Sequence, residues 1–197
     1  MTSTARYHHG DLPSALVRAA MELLEDEGAT ELSLRAVARR AGVSTAAPYR
    51  HFADRNALLS AVAAVGYREL AADLAAAHHS PVNADDLAAI AVAYVRFALR
   101  RPGLFRVMFA EQCDSTSAER VAAVEAIHEY LNSIVQQVFP VADRNAMAMA
   151  VWGMAHGLAF LHLDGKLDAS SEEAAAERVR AAVRAALGAS RSVADCR

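Results

Sequence analysis

Apolar residues recur at helical spacing along most of this chain, and no stretch alternates polar and apolar positions with strand-like composition. The pattern predicts an all-α protein. Leu12, Leu16, Ala19, Ala20, Leu23 and Leu24 form one stripe, predicting a first helix over 12–27 with Asp11 as its cap and Gly28 as its stop. Leu34, Val37, Ala38 and Ala41 give the inner face of a short second helix. A third short helix is predicted over 45–52. Asp54 then caps a long helix to about Ala77, with Leu58, Leu59, Val62, Val65, Leu70 and Leu74 on it. Asn83 caps the next, which runs to Arg101. Pro102-Gly103 interrupts, and 104–110 makes a short aromatic helix. Further helices are expected over 118–139 and from Asp143 to near Asp164-Gly165. A Ser170/Glu173 capping box opens a last helix that ends at Gly188.

The segment Leu32 to Arg55, LSLRAVARRAGVSTAAPYRHFADR, is the most informative. Ser33 caps its first helix, with Leu32 and Val37 at the positions of a hydrophobic staple. Gly42 takes the left-handed conformation that ends a helix, Val43 turns inward, and Ser44 caps the second helix. Two short helices about a Gly turn make a helix-turn-helix. The small residues Thr45, Ala46 and Ala47 let a helix tip approach base edges in a major groove. Tyr49, Arg50, His51 and Arg55 carry groups that donate to phosphate oxygens. Pro48 stiffens the start. An ordinary helix pair bearing arginines would show some of these signs. The agreement of cap, Gly, cap, aromatic and Arg favours DNA.

Composition adds limits. Hydrophobic residues make up 54% of 197 residues, enough for a real core. No charge-free run of about 18 apolar residues is recognised, so no transmembrane helix is expected, nor is a secretory leader. Cys113 and Cys196 are far apart without a CxxC, which argues for a reducing, cytoplasmic setting and against a disulfide or zinc framework. The net charge of −3 looks wrong for a DNA binder. Between Ser33 and Arg55, however, five arginines (35, 39, 40, 50, 55) face one acid, Asp54. A local basic face attracts phosphate whatever the total charge.

The text GDLPSALVRAAMELLEDEGATELSLRAVARRAGVSTAAPYRHFADRNALLSAV resembles the TetR family of bacterial transcriptional regulators. The second half resembles the TetR subfamily named for a Trp-His-Gly motif, here Trp152, His156 and Gly157 in VWGMAHGLAFLHLDG, preceded by RRPGLFRVMF. The resemblance implies about nine helices: a three-helix head over residues 10–70 (helix-turn-helix about 33–52), a ligand-binding and dimerisation bundle over 71–190, and a loose tail over 191–197. It also implies a homodimer built from the last two helices. Tyr49, His51 and Arg55 match phosphate-contacting positions. Arg35, Thr45, Ala47 and Arg50 match positions that can face bases. Ala46-Ala47-Pro48 departs from the polar groups many relatives carry, so thymine-methyl contact or shape readout gains weight.

In the second half, Trp152 and His156 share a helix face. Phe160 continues it, and Phe97, Phe105, Met108 and Phe109 are candidates for a facing wall. Together they would suit a mostly hydrophobic effector with a polar handle. Aromatic and Met residues at helical spacing are equally what a plain core contains, and His156 also reads as a core or interface histidine. Gly153 and Gly157, near Ala155 and Ala159, permit close helix approach, either to a second copy across a two-fold axis or within one chain. The pairs His8-His9 and His78-His79 do not share a helix face and lack ligand-spaced partners, so no metal site is assigned. No cofactor is expected.

Three functions are weighed on these residues. The first is a repressor released from a palindromic double-stranded operator by a small effector. The second is a dimeric regulator, or an activator, that ignores ligands. The third is an enzyme using His156, Asp164 and Ser170, which no nucleophile elbow, phosphate loop or metal cluster supports.

Overall fold

Capping chemistry places most helix starts where the sequence put them. The computed structural model describes residues 12–78, 80–139 and 143–194. Among them are eight α-helices rather than nine: α1 (Leu12–Asp26), α2 (Leu34–Arg40), α3 (Arg55–Ala77), α4 (Ala84–Arg100), α5 (Pro102–Phe109), α6 (Ala118–Val138), α7 (Arg144–Leu163) and α8 (Glu172–Ala194). Ser33 accepts from the Ala36 amide at 3.2 Å and Asp54 from the Ala57 amide at 2.8 Å. Asn83 accepts from Asp85 and Asp86, and Asp143 from Ala146. Each side chain satisfies a donor that the helix itself leaves orphaned. The cap expected at Asp11 lies outside the described residues.

Glycine ends two helices by the same device. Gly42 has φ +68°, its amide donates to Arg39 O, and Val43 donates to Ala38 O. Gly165 has φ +66°, with Gly165 donating to His162 O and Lys166 to Leu161 O. These are the paired bonds of a Schellman ending, which needs a residue tolerant of positive φ.

Several expectations are corrected. The third helix of the head is not an α-helix. Residues 45–47 form turns, and a 3₁₀ turn covers only Pro48–Arg50. Pro48 has no N–H to donate back to Ser44 O, so the i to i−4 ladder cannot close there. The Ser44 hydroxyl makes no cap bond, because the Ala47 amide is taken by the Ser44 carbonyl at 2.9 Å. Pro102-Gly103 begins α5 instead of interrupting before it, since proline fits a first helical turn. The last helix is capped by Ser171, not Ser170, and Glu173 reaches Arg96 and Arg180 instead of closing a box. It continues past Gly188 to Ala194, because an internal glycine weakens a helix without stopping it.

The helices share one core. α8 lies along α4 through Ala175, Ala176, Val179, Val183 and Leu187, all buried. α3 packs on α4, α5 and α6, and α5 also touches α1. That last contact is close: a Cβ on Gly103 would stand 2.8 Å from the Leu24 carbonyl oxygen. Backbone cannot swing aside as a side chain can. Gly103→Ala is therefore expected to destabilise the fold by about 1–3 kcal/mol, as overpacking does, and denaturant unfolding would show it. A cost near zero would mean that the two helices do not meet so closely.

One helix also contains a charge-free run of the length that the sequence reading did not recognise. α7 has no Asp, Glu, Lys or Arg from Asn145 to Leu163, and by length and composition it is apolar enough to span a bilayer. One side of it, Ala148, Val151, Ala155, Ala159 and His162, is buried in the protein core.

Candidate nucleic-acid interface and aromatic cavity

At the exposed edge of the head, two inward anchors fix a short polar ridge. Pro48 and Phe52, four residues apart, are buried, and Phe52 donates its amide to Pro48 O at 2.9 Å. The residues between them must point away. Tyr49, Arg50 and His51 are exposed, Tyr49 by 53% although it is aromatic. Ser44, Thr45 and Ala46 are exposed too, and Ala47 is half-buried. α2 adds Arg35 and Arg39, both exposed. Among the described residues no carboxylate pairs with Arg35, Arg39 or Arg50.

The other two arginines of this segment are engaged. Arg40 meets Asp26 at 2.8 Å, Glu27 at 3.1 Å and Glu22 at 4.0 Å, and the Asp26 hydrogen bond raises its pKa. Arg55 donates from Nε to Leu32 O at 3.0 Å and from an Nη to Ala29 O at 2.9 Å, with Glu111 at 3.5 Å. It ties the α1–α2 connection to the loop after α5. The structure thus places Arg55 as a clamp, not as a free fork beside Tyr49 and His51. The basic face comprises three arginines, not five. Sequence pattern could not show this, because the acids that take Arg40 lie on α1 and just past its end and the carbonyls that take Arg55 carry no sequence signal.

In the second half an aromatic cluster joins α4, α5 and α7. Phe105 lies between Phe109, Phe160, Tyr94 and His156, with ring centroids 4.7, 5.5, 5.6 and 5.8 Å away. Trp152 Nε1–H donates to Tyr94 Oη at 3.3 Å, and Tyr94 O–H lies 2.8 Å from His156 Nδ1. Tyr94 was not among the expected site residues, since its spacing marks only the buried stripe of α4.

Burial lowers the pKa of His156. The folded chain then holds fewer protons than the unfolded one near and below the ordinary histidine value, so stability rises with pH through that window. Wild type is expected to lose stability as pH falls from about 7 towards 5. His156→Gln should flatten that part of the curve, measured by denaturant midpoints at each pH. An unchanged slope would show that this imidazole is not the source.

A cavity of about 340 Å³ opens beside the cluster, walled by Tyr67 of α3, Phe109 of α5, Trp152 of α7 and, from α6, Arg120, Val121, Val124, Glu125, Ile127 and His128. The ligand residues expected from sequence therefore divide. Phe109 and Trp152 line the cavity. Phe97, Phe105 and Met108 are at most 2% exposed and belong to the core. His156 and Phe160 stand behind the wall, edge to face with ring centroids 4.9 Å apart. Tyr67, Arg120 and His128 were missed, because their approach is tertiary. The enzyme constellation does not assemble: Asp164 pairs with Arg106 at 2.6 Å, the Ser170 amide donates to Asp168, and His156 faces Tyr94. His78 lies 3.3 Å from Asp86, while the other histidines of the two pairs fall outside the described residues.

Residues 16–62 match the family model described as bacterial regulatory proteins of the tetR family. Residues 87–187 match the tetracyclin repressor-like C-terminal domain. The chain belongs to the TetR family. A solved protein of unknown function from Rhodococcus sp. RHA1 is 34% identical, covering 90% of this chain and 95% of that one, with a TM-score of 0.74. An HTH-type transcriptional regulator of Mycobacterium tuberculosis is 32% identical over 101 residues, 50% of this chain and 43% of that protein. The class A tetracycline repressor protein from transposon 1721 of Escherichia coli is 41% identical over 75 residues, 38% of this chain and 32% of that protein. The matched region thus spans less than half the length of these curated relatives.

In this TetR-family chain the outer face of α7 is left uncovered. Ala146, Met149, Ala150, Gly153, Gly157 and Leu161 are all exposed, Met149 by 70%. A Cβ on Gly153 or Gly157 would meet nothing within 4 Å. Close packing within one chain therefore does not explain these glycines.

Proposed function

We propose that this TetR-family regulator is a homodimeric repressor that binds a palindromic DNA operator and leaves it when a small effector enters the α3/α5/α6/α7 cavity. The observation that carries the reading is the ridge Tyr49–Arg50–His51, held outward by Pro48 and Phe52 and flanked by unpaired Arg35 and Arg39. Tyr49 and His51 would anchor phosphates. Arg50, Arg35 and the small tip Thr45–Ala47 would meet base edges, and Ser44 would add a backbone contact. Arg55 would act indirectly, by fixing the ridge to the body.

The small, apolar face of α7 supports a second copy of this chain as partner, with α8 completing a four-helix interface. We place the head at residues 10–70 and the bundle at 71–190, sharing α3. The Trp-His-Gly subfamily assignment is kept as part of the proposal, resting on Trp152, His156 and Gly157. Effector binding would bias the heads through α5, which touches the cavity, α3 and α1 alike. Such coupling requires that the effector prefer one head spacing over the other.

Selection of bound duplexes from random oligonucleotides tests the core of this proposal. The expected result is an inverted repeat whose half-sites lie roughly 34–36 Å apart, one helical turn. Recovery of unrelated sequences at low salt only, with no shared half-site, would overturn it.

A further inference from the structure

The cavity holds a cation, Arg120, that no carboxylate among the described residues meets at ion-pair distance. Three arginines have a buried Nε that makes no well-aligned hydrogen bond: Arg96, Arg101 and Arg120. For Arg96 and Arg101 a carboxylate stands beside that nitrogen, Glu172 at 2.9 Å and Glu25 at 2.7 Å. Among the described residues Arg120 has no carboxylate within ion-pair distance. Its near neighbours are the Tyr67 phenol and the Cys113 thiol, which it meets through hydrogen bonds as well as charge while its Nε stays unpaired; burial raises the pKa of both, and Arg120 pulls each the other way. The nearby Asp114 turns one carboxylate oxygen to the Thr116 amide and hydroxyl, which lower its pKa, and the Arg120 charge adds to that without forming an ion pair. Arg120 also lies in the first turn of α6, where Ser117 is the cap. The positive end of a helix dipole disfavours a cation and favours an anion.

Around this guanidinium the walls are mostly apolar, with Phe109, Trp152, Val121, Val124 and Ile127 outnumbering the polar Tyr67, Glu125 and His128. A buried donor left unpaired is costly, and planar guanidinium geometry matches a carboxylate with two parallel bonds. We infer that the effector is an organic monoanion, a carboxylate on an apolar aryl or alkyl body, with its charged end on Arg120 and its body between Phe109 and Trp152. Glu125, exposed, also lines the cavity, and its negative charge disfavours a dianion. The inference rests on the cavity being the effector site proposed above.

Trp152 is the only tryptophan in the chain and lines the cavity, so its fluorescence reports occupancy directly. Octanoate, 4-phenylbutyrate and 2-naphthoate would be titrated into wild type and Arg120→Met, each beside its matching alcohol and amine. Wild type is expected to bind at least one carboxylate tenfold or more tighter than its alcohol, with the amine weakest. Arg120→Met keeps much of the apolar stem and should erase that preference while leaving the alcohol unchanged. Its thermal midpoint without ligand should equal or exceed that of wild type, whereas an arginine with a structural role would lower it. Alcohol or amine binding as tightly as the carboxylate would overturn the monoanion and leave the cavity as effector site. No response from any of the nine probes would overturn both.

Discussion

Tyr49→Ala and Arg50→Ala are each expected to weaken operator binding tenfold or more without lowering stability. Both side chains are exposed. Surface substitutions of this kind usually alter stability by less than about 0.5 kcal/mol, so a loss of affinity would report contact with DNA. The two should differ in character. A base-directed Arg50 would contribute roughly 1–3 kcal/mol per half-site and its loss would relax sequence preference. A phosphate-directed Tyr49 carries no sequence information, so its loss should weaken all duplexes alike. Arg40→Ala serves as the control, because its guanidinium is held by Asp26 and Glu27. Binding by both ridge variants at wild-type strength, in titrations at fixed salt, would remove the ridge from the DNA surface.

Phe105→Ala carries the largest expected effect on folding. The ring is fully buried and lies within 6.5 Å, centroid to centroid, of Phe97, Phe109, Tyr94, His156 and Phe160. Removing it deletes apolar burial and leaves a void where three helices meet. Such truncations cost about 3–5 kcal/mol, against a typical domain stability of about 5–15 kcal/mol. Phe109→Ala is the informative comparison. Phe109 is half-buried and lines the cavity, so it should cost less in stability and more in effector binding. Urea unfolding of the two variants separates the roles. A cost below about 1 kcal/mol for Phe105→Ala would contradict a packed cluster.

The head is legible in proportion to how local its physics is. Ser33, Asp54, Asn83 and Asp143 cap the helices they were expected to cap, because an N-cap bond spans two or three residues and leaves its mark in the sequence. Gly42 and the Asp164-Gly165 ending are readable for the same reason. The recognition segment misleads because two local signals compete there. Its small and polar residues suggest a helix, while Pro48 withholds the amide needed to close the ladder. Ser170 looks like a better cap than Ser171 because a Ser-x-x-Glu pattern is easily satisfied on paper, whereas Glu173 finds arginines on α4 and α8.

The amino-acid order by itself determined an all-α chain, most helix starts and the outward set Tyr49, Arg50 and His51, since these follow from periodicity and from bonds between near neighbours. Only the tertiary structure decided which charges are free. Arg40 and Arg55 look identical to Arg35 and Arg50 in sequence, yet partners 13 to 56 residues away hold them. It also decided which aromatics are wall and which are core, and it exposed Gly153 and Gly157. Those outcomes depend on how α3, α5, α6 and α7 converge, and a contact between distant segments has no period along the chain.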